Sequence, residues 1–153
     1  MFEWSATGLD FAKTLNPSAA KAAMVRGLGK GMTVVANQVR EETPADTGLL
    51  RASINTGEGN GVRQMGNDLV GVVGSNKSYA PFVENGTRPH FPPPLALAGW
   101  AERVGANPFA VARAIAKKGT KARRMFGKVL ESPFISGMVE RFVSDELRKA
   151  IWG

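Results

Sequence analysis

The chain has 153 residues, a length typical of one domain, and its 43% hydrophobic residues can supply a buried core. It contains no Cys, which excludes disulfides, cysteine-ligated zinc and a cysteine nucleophile. It also lacks an apolar run of about 18 residues, so we expect no membrane span. The formal charge of +7 favours an acidic partner, such as nucleic acid, anionic lipid or an acidic protein face.

The first part of the chain predicts one long helix preceded by two short elements. Residues 2–4 are typical of a short strand, and residues 8–15 of a short helix. The Asn-Pro pair at 16–17 is a good helix start, because Asn caps well and Pro suits the first helical position. We expect the long helix at about residues 17–42, ending before Pro44.

Three glycines interrupt the predicted long helix, at Gly27, Gly29 and Gly31. Each costs on the order of 1 kcal/mol relative to Ala in a helix interior, so their presence needs a reason. We favour close packing of this helix on a sheet, and contact with a neighbouring subunit is the alternative.

A turn and a small antiparallel sheet are predicted next. Asp46 or Thr47 can cap a single helical turn that contains Leu50. The clearest strand is residues 68–74, which is rich in Val and bounded by turn formers. We expect it to pair antiparallel with an extended segment on the other side of a glycine-rich loop, either 53–56 or 62–66.

The segment Tyr79–Pro94 holds the only Tyr, the only His and five of the nine Pro residues. Tyr79 and Phe82 are spaced for one apolar helical turn that faces inward, and Gly86 would end it. We expect Phe91 and the prolines to form a stiff edge offered to a neighbour. The segment is therefore predicted to position a contact surface.

The remainder of the chain predicts helices. We expect them at 95–104, at 108–118 after a second Asn-Pro pair and with Gly119 as C-terminal cap, and from Pro133 to about residue 151. Between the last two, residues 119–131 are predicted to form a loop or flexible arm. Its apolar anchors would be Met125, Phe126, Val129 and Leu130.

One segment near this arm carries the whole net charge. All other residues together hold 13 basic and 13 acidic side chains, which cancel. No Asp or Glu interrupts the segment, whereas a solvated helix face, the alternative explanation, usually mixes both signs. We predict a surface for DNA or an acidic protein partner, formed by Arg113, Lys117, Lys118, Lys121, Arg123, Arg124 and Lys128.

No pattern of catalytic residues is present. His90 is the only His, and it lies between Pro89 and Phe91 without a partner for catalysis. The glycine-rich stretch at 57–61 lacks the Lys-Ser/Thr ending of a phosphate loop. We therefore predict no catalytic, cofactor-binding or metal-binding residues, and no enzymatic activity.

Two motifs together resemble a family of tailed-bacteriophage morphogenesis proteins, the neck and tail-completion group that includes head–tail joining proteins and minor tail proteins of the Z type. The first motif is P-x-D-T-G-x-L-R-x-S-I at 44–54, and the second is Y-A-x-x-V-E-x-G-T at 79–87. The residues that carry the resemblance are Pro44, Asp46, Thr47, Gly48, Leu50, Tyr79, Ala80, Glu84, Gly86 and Thr87.

The resemblance implies an α+β fold, in which a long N-terminal helix packs on a small antiparallel sheet and further helices follow. We expect a single domain over 1–153, with a family-like core at 17–95, helices and a basic arm at 96–131, and a C-terminal helix at 132–153. Glu84 is expected to meet a backbone group or to pair with Arg88 or Arg51.

The implied function is structural. Such a protein is expected to form a homo-oligomeric ring, in about six or twelve copies, at the head–tail junction of the virion. Its partners would be the connector or head-completion protein and the tail-tube or tail-terminator protein, with double-stranded DNA in the lumen and no membrane. Assembly would take place in the host cytoplasm. The alternative is a small basic nucleic-acid-binding protein that acts outside the particle.

Overall fold

A computed structural model describes residues 16–57 and 59–152, so the predicted elements at 2–4 and 8–15 lie outside the described residues. The fold is α+β, with a long N-terminal helix, a small set of antiparallel strands and further helices. In chain order the elements are α1 Pro17–Glu42, α2 Leu49–Ser53, β1 Ile54–Asn55, a 3-10 turn Gly59–Gly61, β2 Val62–Met65, β3 Asp68–Gly71, β4 Gly74–Ser75, α3 Ala80–Asn85, α4 Pro94–Val104, α5 Pro108–Lys118, α6 Met125–Leu130 and α7 Pro133–Trp152.

Both ends of α1 follow from local chemistry. The Asn16 side chain accepts a hydrogen bond from the Ser18 backbone N–H at 3.0 Å, and Pro17 occupies the first turn. At the other end Thr43 is extended, as expected for a residue before Pro. The predicted bounds of this helix are therefore confirmed.

The core lies mainly where α1 packs against α7. A methyl group at Gly27 would lie only 2.5 Å from the Val143 Cα, and one at Gly31 would lie 3.0 Å from the Val139 side chain. Gly29 instead faces Asn60 of the 3-10 turn. Close packing is therefore confirmed as the role of these glycines, but the surface that Gly27 and Gly31 meet is a helix, not the predicted sheet.

A buried carboxylate also joins α1 to α7. The Glu146 side chain, 8% exposed, accepts hydrogen bonds from Lys30 Nζ at 2.6 Å and Arg26 Nε at 3.0 Å, and Lys149 lies 3.4 Å away. Helix α7 turns this position toward two cations of α1, so a charged residue lies within the contact between the two helices. The hydrogen bonds from Lys30 and Arg26 lower the pKa of Glu146 to about 2.

The strands form one long hairpin with an interruption. Ile54 pairs with Ser75 and Asn55 with Gly74, whereas Val62 pairs with Gly71 and the pairing then continues to the tip. The register shifts between the two ribbons because the 3-10 turn inserts residues into one side only. Both alternative partners predicted for residues 68–74 are therefore realised: residues 68–71 pair with β2, and Gly74 pairs with Asn55 of β1.

The C-terminal helices largely match the predicted bounds, with one correction. Helices α4 and α5 pack on each other as a hairpin, and Asn107 caps α5 by accepting from the Phe109 and Ala110 N–H groups. Residues 125–130, however, form helix α6 and not a loop or flexible arm. The predicted anchors explain this difference, since Met125 and Val129 are buried against α1 and together order one helical turn.

The contact between Gly27 and Val143 predicts a clear effect of adding one methyl group. Gly27→Ala should lower the free energy of unfolding by about 1–3 kcal/mol, because the α1 and α7 backbones must separate. Gly137→Ala is the matched control: it lies in α7 with open space around its Cβ, and we expect it to stabilise the fold by about 0.4–1 kcal/mol. Urea denaturation of both variants measures the difference, and equal effects would contradict the packing role.

The Glu146 contacts predict how stability depends on pH. Because the folded-state pKa lies below the unfolded value of 4.5, this carboxylate stabilises the fold above about pH 4.5 and loses that contribution as the pH falls toward about 2. We expect Glu146→Gln to be less stable at pH 7 and to show a flatter fall of Tm between those pH values. Glu140→Gln, an exposed position on the same helix, is the control, and an identical profile for both variants would refute the role of Glu146.

Candidate functional site

The second motif forms helix α3 and the turn after it. Ala80 is buried and Val83 is half-buried, while Tyr79 is 42% exposed and Phe82 60% exposed. The prediction that Tyr79 and Phe82 face inward was therefore wrong. Tyr79 lies at the N-cap, before the helix starts, and the side chains of α3 that pack on the core are those of the smaller residues Ala80 and Val83.

Glu84 of this motif holds the start of α6. Its two carboxylate oxygens accept hydrogen bonds from the backbone N–H groups of Phe126 and Gly127, each at 2.9 Å. Unpaired N–H groups at a helix start favour an anion, so the carboxylate is well placed there. Among the described residues Glu84 forms no ion pair with Arg88 or Arg51, so that alternative was wrong and the predicted backbone contact is what the structure has.

The end of the motif binds the chain just before α6. Thr87 forms a β-bridge with Thr120, in which each backbone N–H donates to the other carbonyl, and their hydroxyls lie 3.0 Å apart. Gly86 and Gly119 allow this approach, because a Cβ at Gly119 would lie 1.9 Å from the Thr87 carbonyl oxygen. The N–H of Arg123 also donates to the Val83 carbonyl.

The basic segment is therefore fixed along the second motif, and its cations face solvent. Of the seven predicted residues, Arg124 pairs with Glu131 and Lys128 with Glu42. The Thr87–Thr120 bridge brings Arg88 beside the segment, which the sequence did not indicate. We define the basic surface as Arg88 together with those exposed cations of the basic segment for which no ion pair is found among residues 16–57 and 59–152, namely Arg113, Lys117, Lys118, Lys121 and Arg123.

The first motif makes the turn after α1 and contacts α4. Gly48 adopts a left-handed conformation with φ of 75° and precedes α2, so neither Asp46 nor Thr47 caps that helix as predicted. Leu50 is buried, whereas Pro44 and Thr47 are exposed.

Asp46 reaches a helix far along the chain. The Arg103 guanidinium of α4 donates to both of its carboxylate oxygens, at 2.7 and 2.6 Å, and these bonds lower the pKa of Asp46. The geometry is bidentate, which gives directional specificity even at an exposed site. The spacing of residues in the sequence contained no signal for Arg103 as the partner of Asp46.

An apolar cleft of about 660 Å³ lies beside α3. It is lined by residues 71–78, by residues of α3 and α6, and by Met32 and Val35 of α1. It is separate from the basic surface, since none of those cations lines it.

Large apolar side chains are exposed on the C-terminal helices and around the proline-rich segment. Leu95 is 86% exposed, Trp152 84% and Phe134 72%. Others with more than a third of their surface exposed are Phe91, Trp100, Val104 and Phe109. In a monomer such residues are usually scattered, so several on one helical hairpin indicate a contact surface.

Neither a metal site nor a membrane span emerges from the part of the chain that is described. Within residues 16–57 and 59–152, no three His, Cys, Asp or Glu side chains lie close enough together to hold a metal ion. His90 is exposed, and its Nδ1 lies 2.9 Å from the Arg88 carbonyl oxygen. None of the helices in these ranges is both long and apolar enough to cross a bilayer.

Comparison with known families gives one match. Residues 9–86 match the family described as "Bacteriophage HK97-gp10, putative tail-component". The chain belongs to this HK97-gp10-like family. No curated protein and no solved structure matches the chain. The resemblance to phage tail-completion proteins is thus confirmed at the level of the family, and the chain is a tail-component-like structural protein of a bacteriophage.

The HK97-gp10-like region ends at residue 86, next to Thr87, whose bridge to Thr120 binds the basic segment. Asp46 and Glu84 both lie within residues 9–86, whereas their partners Arg103, Phe126 and Gly127 lie beyond it. The two acidic motif residues therefore fix the later helices onto the family core.

The two hydrogen bonds of Glu84 predict that this side chain orders the basic segment. In Glu84→Gln one of the two N–H groups would face the amide NH₂, so at least one charge-assisted bond is lost, a change of about 1.5–3 kcal/mol in local opening. We expect the Phe126 and Gly127 amides to exchange roughly ten- to a hundredfold faster and trypsin to cleave sooner after Lys121 and Arg123.

Glu102→Gln, an exposed position on α4, is the control for this measurement. Unchanged exchange at the start of α6 in Glu84→Gln would show that the buried side chains of α6, and not Glu84, order the segment.

Proposed function

We propose that this protein is a structural virion protein that forms a homo-oligomeric ring at the head–tail junction and joins the connector to the tail. Membership of the HK97-gp10-like family supports a place in the tail. The ring would hold about six or twelve copies, in line with the closed symmetry of most oligomers. Its neighbours would be a connector or head-completion protein on one side and a tail-tube or tail-terminator protein on the other, and it would assemble in the host cytoplasm.

The observation that carries this proposal is the exposed apolar surface of the α4–α5 hairpin. In this hairpin only Ala101 and Ala112 are buried, while more than half of the surface of Leu95 and of Phe109 is exposed to solvent. A ring or a docked tail protein would cover these side chains, and covering apolar area is the main source of free energy in stable assemblies.

The basic surface supports a position in contact with DNA or with an acidic neighbour. Its cations lie on an ordered segment, because Glu84 and the Thr87–Thr120 bridge hold the backbone. Ordered cations lose less conformational freedom on binding than cations on a flexible arm. In a ring, this surface would line the lumen through which DNA passes or bind an acidic neighbouring protein.

Purified virions test the proposal directly. We expect mass analysis to find the protein at a fixed low copy number per particle, and labelling or cryo-electron microscopy to place it at the neck. A basic protein that acts outside the particle would instead be absent from virions and would bind duplex DNA with a steep salt dependence. Absence from virions would refute the proposed function.

Reversal of two charges tests the basic surface. Lys121→Glu with Arg123→Glu should reduce the yield of DNA-filled particles by about tenfold or more, because these cations would face phosphates or carboxylates. Arg63→Glu with Arg141→Glu makes the same change of charge at exposed positions of β2 and α7 and should have little effect. Arg124 is left unchanged because it pairs with Glu131 and adopts a left-handed conformation. If the first variant formed normal particles, the basic surface would have no role in the proposed function.

A further inference from the structure

The apolar cleft beside α3 has the form of a binding site for an extended chain. Its lining includes the eight consecutive residues 71–78, which contain the end of β3 and all of β4. We propose that the cleft binds an extended, acidic segment of a neighbouring virion protein, which adds to the hairpin as a further β-strand. The proposal rests on the function above only in that the partner is a virion protein.

The backbone along this wall is the free edge of the hairpin. The Val72 N–H donates to the Gly61 carbonyl at 2.6 Å, toward the β2 side. Neighbouring residues of a strand direct their peptide groups to opposite edges, so those of Gly71 and Val73 face the cleft side. Within the described residues β3 pairs only with β2 and β4 only with β1, which leaves this edge available. An open edge is a template for another strand.

The other walls can accept the side chains of an added strand. Met32 and Val35 come from α1, and Phe126 and Leu130 from α6, so the lining opposite the strand edge is mainly apolar. A volume of about 660 Å³ lies within the range of roughly 300–1,000 Å³ that is usual for binding pockets. Every second side chain of an added strand would point toward the apolar lining.

The charge of the chain favours an acidic partner over a second copy. Lys77 and Glu84 both line the cleft, and their opposite charges offset each other there. The chain as a whole carries a formal net charge of +7, which attracts an acidic segment and opposes the approach of a second copy with the same charge.

A peptide probe tests whether an extended chain adds to the strand edge of the isolated protein. The probe is the acetylated, amidated hexapeptide Glu-Val-Glu-Val-Glu-Val, and the control peptide has Pro in place of each Val. We expect the probe, and not the control, to shift the NMR signals of residues 71–78 and to slow amide exchange at Gly71 and Val73. No binding, or binding without protection of these two amides, would overturn the proposal.

A matched pair of variants locates the peptide. A Cβ at Gly74 or at Gly137 meets no atom within 4 Å, so the fold should accept Phe at either position. Gly74→Phe fills the cleft and should weaken the peptide by about tenfold or more, whereas Gly137→Phe on α7 should not. Equal affinity for both variants would place the peptide elsewhere and overturn the proposal.

Cross-linking in particles identifies the occupant. Because the chain has no Cys, Gly74→Cys can carry a single benzophenone label, with Gly137→Cys as control. We expect light to join Gly74→Cys to a different virion protein, and a cross-link only to a second copy, or none, would overturn the choice of partner. If the protein is absent from particles the proposed function fails, and the peptide titration alone then decides whether the cleft binds a strand.

Discussion

The hydrogen bonds of Glu84 hold the start of α6 and help to fix the position of the basic surface. Its carboxylate accepts the first N–H groups of α6, and the residues around it bind the backbone of 119–124. Without this contact, seven basic side chains in a short stretch would repel one another and favour an open, mobile chain. Glu84 acts here together with the Thr87–Thr120 bridge and the buried Met125 and Val129, and none of these contacts neutralises the cations that face solvent.

Helices α1 and α7 form the packed part of the fold against which α6, and with it the Glu84 contact, is placed. The glycines at 27 and 31 let the two helices approach closely, and Glu146 satisfies two cations of α1 from within that contact. Helix α6 then packs on α1 through Met125 and Val129. The apolar cleft lies where these parts meet, since its lining combines residues of α1, α3, α6 and the hairpin.

The sequence predicted those features that depend on neighbouring residues. Asn16 with Pro17 and Asn107 with Pro108 marked two helix starts, and Gly119 marked a helix end, because capping is decided within a few residues. It failed for contacts between distant residues. Glu84 was predicted to meet a backbone group or to pair with Arg88 or Arg51, but no local signal identified the N–H groups of Phe126 and Gly127, about 40 positions away, as its partners.

The same reasoning explains the misplacement of Tyr79 and Phe82. Helical spacing showed that they share a face, but hydrophobicity alone could not show that Ala80 and Val83 would pack on the core instead. A local pattern fixes which residues share a face, and the partner element decides which face is buried.

The contacts of the two acidic motif residues explain what the motifs do in the fold. Asp46 and Glu84 lie in the family region, and each binds a part of the chain beyond it, Arg103 of α4 and the start of α6. A carboxylate that binds backbone N–H groups makes no demand on the side chains of its partner segment. The core can therefore hold a different segment at the same place, provided that a helix begins there. In this chain the segment held there is basic, which gives the surface its charge while the motif supplies its position.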